Sequence, residues 1–232
     1  MRGTRPRHPS VLALAGVLAI GGCGLTGTAG SAASSSPASR SAGSTTAASA
    51  STAATPSATP EPPAGAIWAT SSGIGVRFAV PEEWSVIDPA ALLEQGDPDA
   101  LASAAESLGI SPDQMGEIAN QVDLLVMGPP EGDFAPNVNV IPSQVAGMPG
   151  DAALKADLGS IGATVSGIRA STTPLGAAKV ASYRLVMGAT TVHGRAIVAE
   201  IPDGFTTITV SHVDDKGADA VTSQVLTTLG TT

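Results

Sequence analysis

Few residues of this chain could do chemistry, so each can be weighed in turn. Of its 3 histidines, His8 falls in the arginine-bearing start, and only His193 and His212 lie in the strand-like C-terminal half. A histidine pair could hold a metal or, beside a serine or threonine, activate a nucleophile. If a simple three-residue turn joins the strands that carry them, Ile201 opposes Phe205, His193 opposes Val213 and His212 opposes Gly194. Side chains alternate along a strand, so the two imidazoles are expected on opposite faces of the sheet, which removes a shared metal site. Neither Gly-x-Ser-x-Gly nor Ser-x-x-Lys stands in a setting that would supply a serine nucleophile.

The acidic candidates read as caps and turns. Glu82 and Glu83 beside Trp84 could suggest the carboxylate pair of glycoside chemistry, but neighbours on a turn point apart. Asp97-x-Asp99 and the run Asp214-Asp215-Lys216-Gly217-Ala218-Asp219 lack the spacing of a calcium loop and suit helix capping. Gly73-x-Gly75 is followed by Phe78 where a dinucleotide fingerprint needs a small residue, and no Gly-Lys-Ser of a phosphate loop is present. The expectation is a non-enzymatic chain with no catalytic residue, cofactor or metal.

Cys23, the only cysteine, carries a different message. Arg2, Arg5 and Arg7 precede an apolar run from Val11 to Ile20, too short to cross a hydrocarbon core about 30 Å thick, and Gly21-Gly22-Cys23 follows at once. This block resembles the lipobox of bacterial lipoproteins. The resemblance implies that residues 1–22 are a signal peptide and that Cys23 becomes the lipidated first residue. The chain is then expected on the extracytoplasmic side of the cell membrane. Acyl chains contributing about 0.8 kcal/mol per buried CH₂ hold a protein there stably when there are two or more.

From Cys23 to Gly65 the composition is almost entirely Ser, Ala, Thr, Pro and Gly, too apolar-poor to build a core, so this stretch reads as a disordered tether. Roughly 40 such residues span some 30–40 Å on average. The remainder, Ala66 to Thr232, is about 170 residues, enough for one domain. Its charge is lopsided: nineteen Asp and Glu against seven Lys and Arg, within a chain of net charge −9. Between Arg77 and Lys155 no base occurs at all. A field of one sign repels nucleic acid and anionic headgroups and could attract a basic partner or divalent cations; with aromatics at 3%, few rings are available for base stacking.

Periodicity supplies the elements. Ile74, Val76, Phe78 and Val80 alternate with smaller or charged residues up to Pro81, and Trp84 to Ile87 continues as a short strand. Asp97-Pro98 opens a helix with Leu101, Ala104, Ala105 and Leu108 on one face; Ser111-Pro112-Asp113-Gln114 caps a second with Met115, Ile118 and Val122 inward. Leu124 to Met127 and Asn137 to Ile141 read as neighbouring strands. Asp151 starts a helix presenting Leu154, Leu158 and Ile161, and Thr164 to Arg169 returns as a strand. Ala178 to Met187, Thr191 to Ile201 and Phe205 to Val213 form an antiparallel meander, and a final helix buries Ala218, Val221, Val225 and Leu229. The economical architecture is α+β: one antiparallel sheet of about six or seven strands with helices packed on its faces.

This order of parts resembles the PsbP-like fold family and, more narrowly, the LpqN-like lipoproteins of actinobacteria. The matching residues are Val76-x-Phe78-x-Val80-Pro81-x-x-Trp84, the helix from Asp151, Leu175-Gly176 ahead of the Tyr183 strand, and the strand-strand-helix ending. The resemblance implies an α/β/α sandwich serving as a non-enzymatic accessory module that docks onto envelope proteins. An alternative is a carrier for a lipid or another small apolar ligand, which requires an enclosed pocket of about 300–1,000 Å³ between sheet and helices.

Overall fold

In the computed structural model, the residues described are 61–232 apart from 90, 93–95, 97, 100, 101, 104, 106–110, 133 and 143–146. Cys23, the tether up to residue 60 and most of the helix expected from Asp97 lie outside them. A seven-stranded antiparallel sheet runs in the order β3-β4-β5-β9-β8-β7-β6, built from β3 (Ser85–Ile87), β4 (Leu124–Met127), β5 (Asn137–Pro142), β6 (Thr164–Thr173), β7 (Gly176–Met187), β8 (Thr190–Ile201) and β9 (Gly204–His212). Among the described residues three helices accompany it: α1 (Pro112–Ala119), α2 (Asp151–Ser160) and α3 (Asp215–Thr228). The α+β architecture and the strand number agree with the sequence.

The sheet register sorts the residues into two faces. One row crosses Leu125, Asn139, Thr209, Ala196, Ala181 and Ile168. On this face Met115 and Ile118 of α1, with Val122 just beyond its end, cover Leu125 and Met127, while Leu158 of α2 packs on Ala181, Tyr183 and Ala196. The next row crosses Val126, Val138, Val210, Arg195 and Ser182 and faces the other way. There α3 lays Val221, Val225 and Leu229 on Val138, Val180, Ile197, Ile208 and Val210, forming the largest core.

A second, smaller sheet completes that core. β1 (Ala66–Ser71), β2 (Val76–Pro81) and β10 (Gly230–Thr231) pair with β2 in the middle, and Phe78, Val80 and Trp84 pack against α3 and the main sheet. The expectation of a single sheet is corrected here, because the opening strand belongs to a separate hairpin whose partner, β1, the periodicity did not single out. Ala79 of β2 donates its N–H to Thr228 Oγ1 at 2.9 Å, tying the end of α3 to the small sheet. Arg77 stacks over the Trp68 ring at 4.9 Å on its outer side. No helix of the described residues is long and apolar enough to cross a membrane.

Candidate functional site

The β8–β9 turn decides where the histidines go. Ile201 pairs with Gly204, leaving only Pro202 and Asp203 in the loop, so His193 stands directly opposite His212. The expected three-residue turn and the expected placement on opposite faces are both wrong. One residue fewer in the loop shifts the register by one and brings both rings to the α3 side, since cross-strand partners share a face. Gly204, at φ +131, closes the tight turn.

Around this pair the start of α3 gathers an ionic cluster. His193 Nδ1 lies 3.1 Å from Asp215 Oδ1. Arg195, two residues along and nearly fully buried, donates from Nη2 to the same Oδ1 at 2.7 Å and from Nε to Asp219 Oδ1 at 2.9 Å. Its Nη1 also donates to the Gly194 carbonyl at 3.0 Å. His212 accepts the Asp214 backbone N–H at Nδ1, 3.0 Å away, and its Nε2 lies 3.6 Å from Glu131 Oε1. Asp214 caps α3 by accepting the Gly217 N–H at 2.7 Å, and the His212 ring rests where a side chain at Gly217 would stand.

The electrostatics follow from this packing. Burial pulls the Arg195 guanidinium down, but its hydrogen bonds to Asp215 and Asp219 outweigh that and leave it above its ordinary value. The hydrogen bond from Arg195 holds the Asp215 carboxyl below the usual carboxylate range. The cluster spends its charges on itself: the guanidinium is paired twice, and each imidazole faces a carboxylate. Among the described residues no group of three or more His, Cys, Asp or Glu is arranged to hold a metal ion.

The opposite face of the same strands carries Tyr183. It pairs across Gly194, which in turn pairs with Ser211, so the three lie in one row. The phenol ring lies flat over Gly194, filling the space that any side chain there would need, and shares a hydrogen bond with the Ser211 side chain. Burial pushes the hydroxyl up to about 12, against the smaller downward pulls of Ser211 and Arg195. Ser211 is thereby engaged on the face away from both histidines.

The remaining candidates occupy structural places. Glu82 and Glu83 sit exposed in the turn after β2, while Trp84 is buried with its ring against Gly128. Asp97 lies outside the described residues, and Asp99 is exposed in a short helical stretch. Gly75, at φ +64, turns the β1–β2 hairpin, and Gly73 abuts the Asp123 carboxylate that accepts from Ser71 Oγ. Sequence reasoning missed Arg195 and Tyr183. A lone arginine among Ala, Gly and Val in a buried strand was the available signal for the first.

A seven-stranded antiparallel sheet with helices on both faces and a short second sheet defines an α+β sandwich. Among solved structures, the chain is similar to the solution structure of cyanobacterial PsbP (CyanoP) from Synechocystis sp. PCC 6803, with a TM-score of 0.43 and 16% identity over 73% of this chain and 94% of that chain. No family model matches the chain. No curated protein matches it either.

Proposed function

We propose that this chain is a lipid-anchored accessory module of the cell envelope, of the LpqN-like kind found in actinobacteria. In this reading the first 22 residues are a signal peptide, Cys23 carries the acyl chains, and residues 23–65 tether a non-enzymatic domain that docks onto envelope proteins. The observation that carries it is the block Gly21-Gly22-Cys23 placed directly behind a ten-residue apolar run and three arginines. The ionic cluster supports the non-enzymatic part of the reading. Its histidines, guanidinium and carboxylates are engaged with one another and with the α3 cap, and the Ser211 hydroxyl that could have served His193 is turned to Tyr183.

The anchor is tested by feeding the producing cells an alkyne-bearing palmitate and separating membrane from soluble fractions. The full chain takes up the label and fractionates with membranes. Cys23→Ala takes up none and moves to the soluble fraction. Labelling that persists in Cys23→Ala sinks the assignment.

A further inference from the structure

The two edges of the main sheet are finished in opposite ways. β3 at one end is only 3 residues long, and Glu82, Glu83 and Asp88 flank it, which are the usual devices against unwanted strand pairing. β6 at the other end is 10 residues long, has no proline, and none of its residues is buried. Along such an edge every second residue turns its N–H and C=O outward, ready to receive another strand.

The two sides of β6 differ in chemistry. A bulge at Ser166 lets Val165 and Ile168 face the same way, towards α2, where both are half-buried beside Ile161 and Leu185. On the other side Arg169 is exposed next to the edge, and exposed Arg184 lies one strand in, opposite Thr164. Neither guanidinium forms an ion pair among the described residues. Apart from Arg77 and Lys216, the domain's bases lie in this end of the molecule, on α2, β6, β7 and β8.

We propose that the β6 edge is a docking site for an extended segment of a partner protein in which apolar and acidic side chains alternate. Its backbone extends the sheet as an eighth strand. Its apolar side chains continue the cluster of Val165, Ile168 and Leu185, and its acids meet Arg169 and Arg184 on the other side. A second copy of this chain fits poorly, because two β6 edges would bring like charges together. This inference rests on the docking reading above and names its surface.

The test uses the full chain in the cells that produce it, with a photo-cross-linking residue placed singly at Ala170 or Thr172 on β6, at Glu117 on α1, or at Ser223 on α3. The expected result is an adduct from Ala170 and Thr172 whose partner peptide, mapped by mass spectrometry, alternates acidic and apolar residues. Arg169→Glu and Arg184→Glu each lower its yield about tenfold, while circular dichroism of the variants stays unchanged. Adducts only from Glu117 or Ser223 overturn the edge assignment and leave the docking reading standing. No adduct from any position overturns both. A yield that survives both charge reversals, or an adduct that is a covalent dimer of this chain, overturns the acidic partner.

Discussion

Tyr183 is the only tyrosine of the chain, so its ionisation can be followed without interference from another phenol. A folded-state value raised to about 12 by burial means that the neutral hydroxyl is the form the native state favours. The stability it contributes is complete below the ordinary tyrosine range and is lost as pH climbs through the native value. Phenolate absorbance in native protein should rise near pH 12, and in denaturant near the ordinary value; coincident titrations would show that the phenol is not held as described. Asp215 gives the opposite sign. Its lowered value makes Arg195 pairing stabilising above the ordinary carboxylate range and lost as pH falls through the folded value. In urea unfolding, the stability gap between the native chain and Asp215→Asn should therefore be widest at neutral pH and should close on acidification. A pH-independent gap would mean the carboxylate charge is not what the cluster uses. The histidines show the limit of residue-level reading. Their identity was plain, but their face depended on whether the β8–β9 loop had three residues or two, and Pro-Asp-Gly accommodates both. A slip of one residue reverses every side chain of a strand, so the pairing of His193 with His212 was not legible.

Elements with a clear period or a cap were legible. α2 begins at Asp151, and β8 and β9 of the meander were marked by near-continuous apolar and β-branched runs between turn residues, because both strands are buried on both faces. Of the small sheet only β2 was. β10 is two residues long, too short to carry a period, and β1 follows a proline-rich stretch with only Ala66, Ala69 and Ser71 buried. What holds that sheet in place is a side-chain bond between distant elements. Thr228 Oγ1 accepts the Ala79 N–H and donates to the Gln224 carbonyl at 2.6 Å. Thr228→Val keeps the shape and removes the acceptor, leaving a backbone donor of β2 unsatisfied, and should cost about 1–3 kcal/mol in urea unfolding. A loss no larger than that of an ordinary surface change, within about 0.5 kcal/mol, would deny the bond its role.

At the scale of the molecule, charge is divided along the main sheet. β3, β4, β5 and β9 carry no Lys or Arg, whereas β6, β7 and β8 hold Arg169, Lys179, Arg184 and Arg195. The sequence already displayed the long base-free stretch, but only the strand order shows that it lies at one end and the exposed guanidiniums at the other. If an acidic segment docks on β6, capture of the partner weakens as salt rises, since exposed charges are screened over about 10 Å at 0.1 M. Cross-link yield from Ala170 measured across a salt series tests this, and a flat response would remove electrostatics from the interaction.

The register of the first hairpin also decides how the domain bears a pull. The chain enters β1 at Ala66, directly opposite Pro81, where β2 leaves for the rest of the fold. Tension between the incoming chain and the body therefore acts across adjacent ends of the two strands. Their hydrogen bonds break in succession instead of sharing the load. β2 itself is clasped on its far side by β10 and by Thr228, so peeling stops there. The 6 residues of β1 are therefore expected to yield first under such a pull, with Ala69 leaving the main core as they go.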